Sequence, residues 1–514
     1  MKSPLFYIDR FLNGIAMYRL TMYAVFAIAA IAILLGFFGV LSYSGPTLVL
    51  SATIVIVTCC VANFLFSKIV GAVMNSESAF ITGGILFLII SPMSSGRDAI
   101  ALVLAGVIAM ASKYVFAWKK RHIFNPAAFA AFVLGFTPFA AATWWVGSIY
   151  LLPVAIVVGF LVVRKIRRFS LVLSCILASV GVASIYAITI NFSVPDYLSQ
   201  LYASWPLIFM ATIMLTEPFT TPPQRNQRIA YGALVGALSS WPLALNLGLF
   251  TIYGTPEFAL LVGNVFSYFF NLKRRLILTL NNAKEIAKDT RQFSFASISG
   301  PISYKAGQYL EWTLPHEGTD MRGMRRYFTI ASSPTEGDIK LGVKFAPQSS
   351  SFKQNLRALE EGKTILAGQL AGDFILPKDA NKKLVFIAGG IGITPFRSMI
   401  KYILDTDEKR DVVLFYSNKT YAEIAYKDLL TEAAQRINLR SVYLVNEKEG
   451  VPGGFPVEVE FITPDMIKNK VPDYAERVFY LSGPDAMVTS YKKLLRGMGV
   501  PRKNIKTDYF PGFA

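Results

Sequence analysis

The stretch KLVFIAGGIGITPFRSMI, residues 383–400, decides the fold of the C-terminal half of this chain. A continuous apolar run ends in the glycine-rich turn GGIGITPF (389–396), and a helical pattern begins directly behind it. In such a strand–turn–helix arrangement, backbone N–H groups can approach a pyrophosphate at the helix N-terminus. Strand-like and helix-like runs then alternate: DVVLFYS, YKDLLTEAAQRI, SVYLV, RVFYLSG and AMVTSYKKLLRGMG. This alternation predicts an α/β doubly wound nucleotide-binding domain over 381–514.

A different pattern precedes this domain. Short runs with strand-like alternation follow one another from about residue 291: FSFASI, QYLEWTL, RRYFTIAS and KLGVKFA. They predict a small antiparallel β-barrel over 291–380. The basic stretch over 276–290 is interpreted as a short, partly helical linker in front of that barrel.

The first 275 residues have the composition of a membrane domain. The chain of 514 residues is 53% hydrophobic and only 16% charged, which is too apolar for an ordinary soluble protein. The formal charge of +18 does not indicate a nucleic-acid groove, because the basic residues of this half form short clusters between apolar segments. Its acidic residues are few: Asp9, Glu77, Asp98, Asp196, Glu217 and Glu257.

Ten apolar stretches in this half are long enough to cross, or nearly cross, about 30 Å of hydrocarbon. They lie near 21–42, 47–67, 79–92, 98–117, 124–142, 143–163, 169–190, 198–216, 229–250 and 255–272. With the N-terminus in the cytoplasm, the basic clusters fall on the inner side and Arg97 alone falls outside. We therefore expect a multi-pass protein of a bacterial-type cell membrane, in contact with lipid, with both termini cytoplasmic.

Two of the ten segments are interrupted. AFITGGILFLIISP (79–92) is short, contains two glycines and ends in proline, and WPLIFMATIMLTEPFTTPP (205–223) ends in prolines and polar residues. They are the third and eighth segments, which are corresponding positions in two five-span halves of inverted topology. Paired broken helices of this kind indicate a binding site near the membrane midplane. The alternative interpretation is a pair of tolerated kinks.

Three blocks of this half resemble the RnfD/NqrB membrane subunits of ion-translocating electron-transfer complexes: SKYVFAWKKRHIFNPAAFA (112–130), FMATIMLTEPFTTPPQRNQRIAYGALVGAL (209–238) and PEFALLVGNVFSYFF (256–270). The resemblance implies a membrane flavin. The S-G-A-T-like motif for covalent FMN is missing, so non-covalent FMN or riboflavin and a quinone stay open. The candidate residues for this site are Thr82, Gly83, Gly84, Lys113, Asn125, Pro126, Thr216, Glu217, Pro218, Thr220, Thr221 and Asn264.

The glycine turn, together with RYFTIASSP (326–334), SSSFKQNL (349–356), GDF (372–374) and YLSGPDAMV (480–488), resembles the ferredoxin-NADP reductase family. That family implies FAD on the barrel and NAD(P)H on the α/β domain. The implied FAD-binding residues are Arg326, Tyr327, Phe328, Thr329, Lys344, Ser350, Ser351, Phe352, Phe510 and Phe513. The implied NAD(P)H-binding residues are Gly389, Gly390, Ile391, Gly392, Thr394, Pro395, Ser417, Ser482, Gly483 and Pro484.

Within this assignment, Arg326 suits a pyrophosphate, and Phe328 takes the place of the family's tyrosine on the flavin ring. NADH is slightly favoured over NADPH. The residues themselves offer no haem site, since His122 lies in a basic loop and His316 in the predicted barrel. Three cysteines in apolar segments are too few for a four-thiolate cluster, and no metal is expected. His122 is interpreted as a surface or interfacial residue rather than a ligand, and Asp196 and Glu257 as residues of outer loops.

Three hypotheses for function remain. The first is a membrane flavoprotein that takes hydride from NAD(P)H onto FAD and passes electrons through a membrane flavin or quinone. A quinone, an outer-side acceptor or other redox proteins would then be its partners, and a homodimer stays open. The second is a redox-driven sodium or proton pump of the RnfD/NqrB type. The third is a transporter-like scaffold with a regulatory flavodomain.

Overall fold

The computed structural model describes residues 4–71, 76–118, 121–139, 141–204, 206–246, 248, 251–270, 275–447 and 449–510. The chain divides into two compact units, Met1–Arg275 and Leu276–Ala514. The first, called here the membrane half, is mainly helical. Its elements in chain order are α1 (Pro4–Asn13), α2 (Met17–Phe37), α3 (Gly45–Val70), α4 (Ser76–Ile89), α5 (Gly96–Val115), β1 (Ala117–Trp118), β2 (Arg121–His122), α6 (Pro126–Leu134), α7 (Leu152–Ile166), α8 (Phe169–Thr189), α9 (Val194–Ser204), α10 (Leu207–Phe209), α11 (Arg225–Ser240), β3 (Ala244–Asn246), β4 (Thr251–Tyr253) and α12 (Pro256–Phe270).

Four of these helices, α2, α3, α5 and α8, are long and apolar enough to cross a membrane, and α4 is a shorter apolar helix. The other predicted spans contain shorter helices. In particular, the span predicted at 124–142 is helical only over α6, and the helix of the span predicted at 143–163 starts at Leu152. The membrane half therefore has several apolar helices rather than ten of full spanning length in the part that the structure describes.

The residues between α6 and α7 are not helical because they bind the end of α4. The amides of Thr143 and Trp144 both donate to the Ile89 carbonyl at 2.9 Å, and the Val146 amide donates to Leu88 at 3.1 Å. The Trp145 indole N–H donates to the Phe87 carbonyl at 2.7 Å. The last carbonyls of a helix have no partner within it, so this segment satisfies groups that apolar surroundings could not.

The eighth predicted segment is irregular in the structure. The short helix α10 continues into a π-helical turn, Met210–Met214, and the Leu215 amide donates to the Met210 carbonyl at 2.9 Å. Helix geometry then ends before Pro218. The Thr216 hydroxyl donates to the Thr212 carbonyl at 2.7 Å, and so replaces an amide donor of the interrupted helix. Single π-turns of this kind occur often at functional sites.

The second unit contains two six-stranded sheets. Its antiparallel sheet, with one helix between the last two strands in chain order, is built from β5 (Leu276–Ala287), β6 (Thr290–Ser297), β7 (Tyr309–Thr313), β8 (Arg325–Thr329), β9 (Ile339–Lys344), α13 (Ser351–Arg357) and β10 (Thr364–Ala371). The elements of its parallel sheet are β11 (Leu384–Gly389), α14 (Thr394–Thr406), β12 (Val412–Asn418), α15 (Lys427–Arg436), β13 (Arg440–Val445), β14 (Val457–Glu458), α16 (Pro464–Lys470), β15 (Val478–Pro484), α17 (Asp485–Gly497) and β16 (Ile505–Phe510).

The stretch predicted as a linker, 276–290, is largely a strand of the antiparallel sheet. The strand order of that sheet is β8-β7-β10-β5-β6-β9, so β5 lies in its interior between β10 and β6. Leu276, Leu278 and Leu280 are buried while the residues between them are partly exposed, which is the period of a half-buried strand. The linker interpretation is therefore wrong for this stretch.

The parallel sheet has the order β14-β13-β12-β11-β15-β16. From β11 the chain moves outward through β12, β13 and β14, and then returns to the other side of β11 with β15 and β16. The strand order thus reverses at β11. In open α/β sheets, ligands bind outside the carboxyl ends of the strands at such a reversal.

Candidate functional site

The glycine-rich turn lies at the carboxyl end of β11, where the strand order reverses. Gly390 has φ +53°, and a Cβ on Gly392 would lie 2.4 Å from the Ser482 carbonyl oxygen. These positions therefore require glycine, one for its backbone conformation and one for close approach to β15. The predicted residues Gly389, Gly390, Ile391, Gly392, Thr394 and Pro395 all lie in this turn or in the first turn of α14.

Polar atoms without a protein partner lie on both sides of this turn. The Ser482 hydroxyl on β15 is fully buried, and the Asn418 carboxamide at the end of β12 is 5% exposed. Among the described residues, the Ser482 oxygen has no hydrogen-bond partner, and neither polar atom of Asn418 meets the geometry of a hydrogen bond, the Tyr416 hydroxyl being its polar neighbour. Unpaired buried polar atoms cost free energy, so they indicate a place where a ligand completes the hydrogen bonds. A ligand with donors and acceptors, such as NAD(P)H, fits these two side chains.

Asn418 was not among the predicted residues, which include its neighbour Ser417. Ser417 is only partly buried, and successive side chains of a strand point to opposite faces. Asn418 lies on the face that also carries Tyr416, and Ser482 lies on the face that carries Tyr480; both tyrosines belong to the same buried cluster. Burial combined with a missing partner marks Asn418, and neither property can be read from the sequence.

The antiparallel sheet contributes a second group through β8. The Arg326 guanidinium lies 5.4 Å from the centre of the Phe352 ring, and the Phe328 ring lies 5.9 Å from that same ring. Phe352 is fully buried at the start of α13. Ser350 caps this helix by accepting from the Lys353 amide. Arg326 and Phe328, two residues apart on one strand, thus lie on one face together with α13.

This face is strongly cationic. Burial, together with repulsion from Arg322 and Arg326, lowers the pKa of Lys353 to about 8. Burial also lowers the pKa of Arg326 to about 10, with Arg322 adding to the effect and Asp320 opposing it. Against these three cations lies the Asp320 carboxylate, 3.3 Å from Arg326. A site whose cations lower one another's pKa favours an added anion, and the diphosphate of FAD fits this requirement.

The two sheets meet beside the glycine turn. Arg397, in the first turn of α14, forms a two-pronged ion pair with Glu336 and donates to the Ala331 carbonyl at 3.0 Å. The next residue, Ser398, donates to the Ser332 carbonyl at 2.5 Å. Because residues 330–336 directly follow β8, these bonds hold the end of β8 against the start of α14. The segment that follows β8 and the helix that follows the glycine turn are therefore joined in one unit.

Some predicted residues have other partners in the structure. The hydroxyl of Tyr327 contacts Glu311 at 2.8 Å and Gln369 at 3.0 Å, on the face of β8 opposite Arg326. Lys344 forms an ion pair with Glu423 at 2.7 Å. Thr329, the last residue of β8, is buried. Pro484 is exposed, and Phe510 is the last residue of β16. Phe513 lies outside the described residues.

The membrane half contains a partly buried polar network at the interrupted eighth segment. The Glu217 carboxylate accepts from the Asn125 side chain at 2.9 Å and lies 3.2 Å from His122 Nε2. The backbone N–H of Asn125 donates to the side-chain oxygen of Asn264 at 2.8 Å, and the side-chain nitrogen of Asn264 donates to the Tyr231 hydroxyl at 3.1 Å. The three blocks that resemble the RnfD/NqrB family therefore meet in this network.

The threonines of this segment belong to the same region. Thr220 and Thr221 both donate to the carbonyl of Glu217 through their hydroxyl groups. Pro218 lies in the chain between Glu217 and these two threonines. Asn125 also caps α6 by accepting from the Ala127 and Ala128 amides, both at 3.1 Å, and Pro126 is the first residue of that helix. The arrangement fixes Asn125 and Glu217 relative to each other.

The other candidates of the membrane half have packing partners. A Cβ on Gly83 would lie 2.9 Å from Ile56, and one on Gly84 would lie 2.6 Å from Val25, so these glycines allow α4 to approach its neighbouring helices closely. The Thr82 hydroxyl bonds within α4. Lys113 donates to the Ser78 hydroxyl at 2.9 Å.

One expectation for this half is wrong. Glu257 does not lie in an outer loop: it is in the first turn of α12, is 6% exposed and accepts from the Trp144 indole N–H at 2.7 Å. His122, interpreted as a surface or interfacial residue, has a side chain that is 18% exposed and lies beside Glu217. In both cases a partner distant in sequence covers the polar group. Asp196 is exposed, in the first turn of α9.

Comparisons with known proteins match the second unit. The family described as "Oxidoreductase FAD-binding domain" matches residues 277–371, and "Oxidoreductase NAD-binding domain" matches residues 386–493. NADH-cytochrome b5 reductase 1 of Ajellomyces capsulatus is 30% identical over 245 residues, which cover 46% of this chain and 76% of that protein.

Other relatives are similar in part. The glycine betaine monooxygenase reductase subunit of Pseudomonas aeruginosa is 29% identical over 225 residues, or 43% of this chain and 60% of that protein. Among solved structures, the cytochrome P450 reductase GcoB of Amycolatopsis is 25% identical, covers 46% of this chain and 70% of its own, and has a TM-score of 0.40.

Proposed function

Because the C-terminal half of this chain belongs to the NADH-cytochrome b5 reductase family of FAD- and NAD-binding oxidoreductases, we propose that the protein takes hydride from NAD(P)H and delivers the electrons to a carrier in its membrane half. The predictions of an NAD(P)H-dependent flavin oxidoreductase with FAD as cofactor are thereby confirmed. The residue roles, the membrane carrier and the route of the electrons are our proposals.

When bound, FAD accepts a hydride from NAD(P)H and can release the two electrons one at a time. The protein's part is to bind and orient. Arg326 and Lys353 neutralise the FAD diphosphate, and the Phe328 ring supports the flavin. The backbone of the glycine turn, with Ser482 and Asn418, holds NAD(P)H. Hydride transfer needs no proton-donating side chain, and so the site requires placement of its two ligands and no general acid or base.

The membrane half supports the second part of the proposal. Buried polar and ionisable side chains are costly in an apolar domain and usually serve function. The buried Asn125 and Asn264 and the partly exposed Glu217 form a polar cluster at a π-helical interruption, with hydrogen-bonding groups suited to a quinone or to the ring of a non-covalent flavin. We propose this cluster as the receiving site. We also propose, from the basic residues between the apolar segments, that both termini lie in the cytoplasm, where NAD(P)H is available.

The observation that carries the proposal is the cationic face of Arg326 beside the glycine turn in one unit of the chain. It can be tested with purified full-length protein in detergent. We expect bound FAD that is bleached by NADH. Arg326→Ala should lose FAD, whereas Gly390→Glu should keep FAD and lose its reduction. Gly337→Glu serves as a control, since a Cβ there would meet nothing within 4 Å and, unlike Gly390, Gly337 does not have a positive φ. If NAD(P)H does not bleach the bound flavin, the scaffold hypothesis is favoured instead.

The acceptor is tested separately. Flavin content above one per chain indicates a membrane flavin, and one flavin with quinone-stimulated NADH oxidation indicates direct quinone reduction. Glu217→Gln should slow re-oxidation of the reduced FAD by the acceptor and leave its reduction by NADH unchanged. Equal re-oxidation rates in wild type and variant would exclude Glu217 from the receiving site. A sodium-dependent potential in liposomes would support the ion-pump alternative.

A further inference from the structure

The loop between β7 and β8 carries Asp320, whose carboxylate contacts two of the three cations of the cationic face, Arg322 and Arg326. The Asp320 carboxylate accepts from the Arg322 amide at 2.8 Å, from Arg326 at 3.3 Å and from the Ser351 amide at 3.2 Å. Its own backbone N–H donates to the Ser351 hydroxyl at 3.1 Å. Asp320 therefore links the strand that bears Arg326 to the start of α13.

The Ser351 hydroxyl is oriented by a second residue of the same loop. His316 Nδ1 lies 2.8 Å from the Leu314 carbonyl oxygen, which can only accept, so Nδ1 carries the proton. In the neutral ring, Nε2 is then an acceptor, and it lies 3.0 Å from the Ser351 hydroxyl oxygen. The Ser351 hydroxyl consequently donates to His316 and accepts from the Asp320 amide. The donor and the acceptor are thus defined in the hydrogen bonds that join His316, the Ser351 hydroxyl and the Asp320 backbone N–H.

The Arg326 guanidinium is held from two sides. One of its nitrogens, Nη1, donates to the carbonyls of Arg322, Gly323 and Arg325 at 2.7–2.8 Å, and the other, Nη2, faces Asp320. Repulsion from Arg322 opposes its charge. The Asp320 carboxylate offsets this repulsion. Burial alone would raise its pKa, but the hydrogen bond from the Arg322 amide and the charge of Arg326 lower the pKa, so that the negative form is favoured.

We infer that Asp320 is a positioning residue for FAD, which holds Arg326 and the start of α13 in the arrangement that receives the diphosphate. The inference rests on the proposed FAD site at Arg326. It concerns the phosphate end of the cofactor and not the flavin ring, because the contacts of Asp320 described above are to the cationic group and to Ser351. Riboflavin, which has no phosphate, should be insensitive to Asp320.

The test uses full-length protein stripped of flavin, with binding followed by quenching of flavin fluorescence. Asp320→Asn should raise the Kd for FAD about tenfold, the scale of one lost charge-assisted hydrogen bond, and leave the Kd for riboflavin unchanged. Asp320→Glu should recover part of the FAD affinity. Asp338→Asn is the matched control, since that carboxylate contacts only the exposed Asn281 among the bonds described in this sheet.

Each other outcome overturns the inference. Unchanged FAD affinity removes the positioning role, and tighter FAD binding shows that Asp320 competes with the diphosphate for the same donors. Equal weakening of FAD and riboflavin shows a general structural role. Arg326→Ala is measured beside these variants: if it leaves FAD affinity intact, the proposed FAD site itself is wrong, whereas a loss in Arg326→Ala alone disproves only the role of Asp320.

Discussion

Replacing Glu336 with glutamine removes one half of the buried ion pair that joins the two sheets of the reductase unit. Glu336 pairs with Arg397 in the first turn of α14 and with Lys340 at 2.5 Å. Burial alone would raise the pKa of Glu336, but the hydrogen bond and charge of Arg397, with Lys340, lower it from 4.5 to about 2. The folded protein therefore prefers the ionised carboxylate much more strongly than the unfolded chain does.

The size of the effect follows from this difference. A carboxyl group with such a lowered pKa contributes roughly 3 kcal/mol to the free energy of unfolding at neutral pH. The two side chains are 9% and 11% exposed, and screening by solvent reduces the contribution to about 2 kcal/mol. For a unit of this size, about 2 kcal/mol corresponds to a fall in melting temperature of roughly 4–8 °C.

The assay is release of FAD fluorescence on heating purified full-length protein. Because the pKa is lowered on folding, the stabilisation is complete above pH 4.5 and is lost as the pH falls towards 2. The melting temperatures of wild type and Glu336→Gln should therefore differ most at pH 7 and converge below pH 4.5. Glu432→Gln removes an exposed i,i+4 partner of Arg436 and is the control, with an expected change under about 1 °C. A shift at pH 7 no larger than in the control, or one that persists undiminished at pH 3, would refute this reasoning.

Three further outcomes are expected. Gly342→Val should slow flavin reduction by NADH in stopped-flow measurements while FAD stays bound, because a Cβ there would lie 2.6 Å from the Tyr426 hydroxyl of the α/β domain. The control Gly337→Val, where a Cβ meets nothing within 4 Å, should leave the rate of flavin reduction unchanged. FAD affinity should fall as pH rises above about 8, where free Lys353 loses its proton, and fluorescence titrations of Lys353→Gln should show a flatter profile. Gly236→Leu should lower the yield of monodisperse protein in detergent chromatography, because even a Cβ would lie 2.1 Å from a carbonyl oxygen of α8, whereas Gly181→Leu should not.

Local motifs account for what was predictable in the reductase unit. The turn at 389–396 combines strand, glycines and helix within a few residues, so its conformation follows from neighbours in sequence. The conformation of β5 does not follow from its neighbours in sequence, because a single strand of mixed composition is stabilised by partners that are distant in the chain. Residues 276–280 pair with β10, more than eighty residues downstream. Their pattern resembles a linker until that pairing is known.

The membrane half shows the same division between local and distant information. Apolar length marked α2, α3, α5 and α8 as spanning helices without any knowledge of their neighbours. It did not show that residues 143–146 bind the end of α4, nor that His122 and Glu257 are covered by partners far away in the chain. A polar residue in an apolar region can lie in a loop or in a satisfied core, and only its contacts distinguish the two.

By itself, the sequence determined the local features of this protein: a glycine-rich turn between a strand and a helix, an arginine and a phenylalanine two residues apart on a strand, and long apolar helices. Only the tertiary structure decided which distant groups act together. Asn125 meets Glu217 and Asn264 across 92 and 139 residues of chain, and Asp320 meets Ser351 across 31. The physical reason is that backbone conformation depends on nearby residues, whereas hydrogen bonds and burial depend on whichever segments the fold brings within about 3 Å of one another.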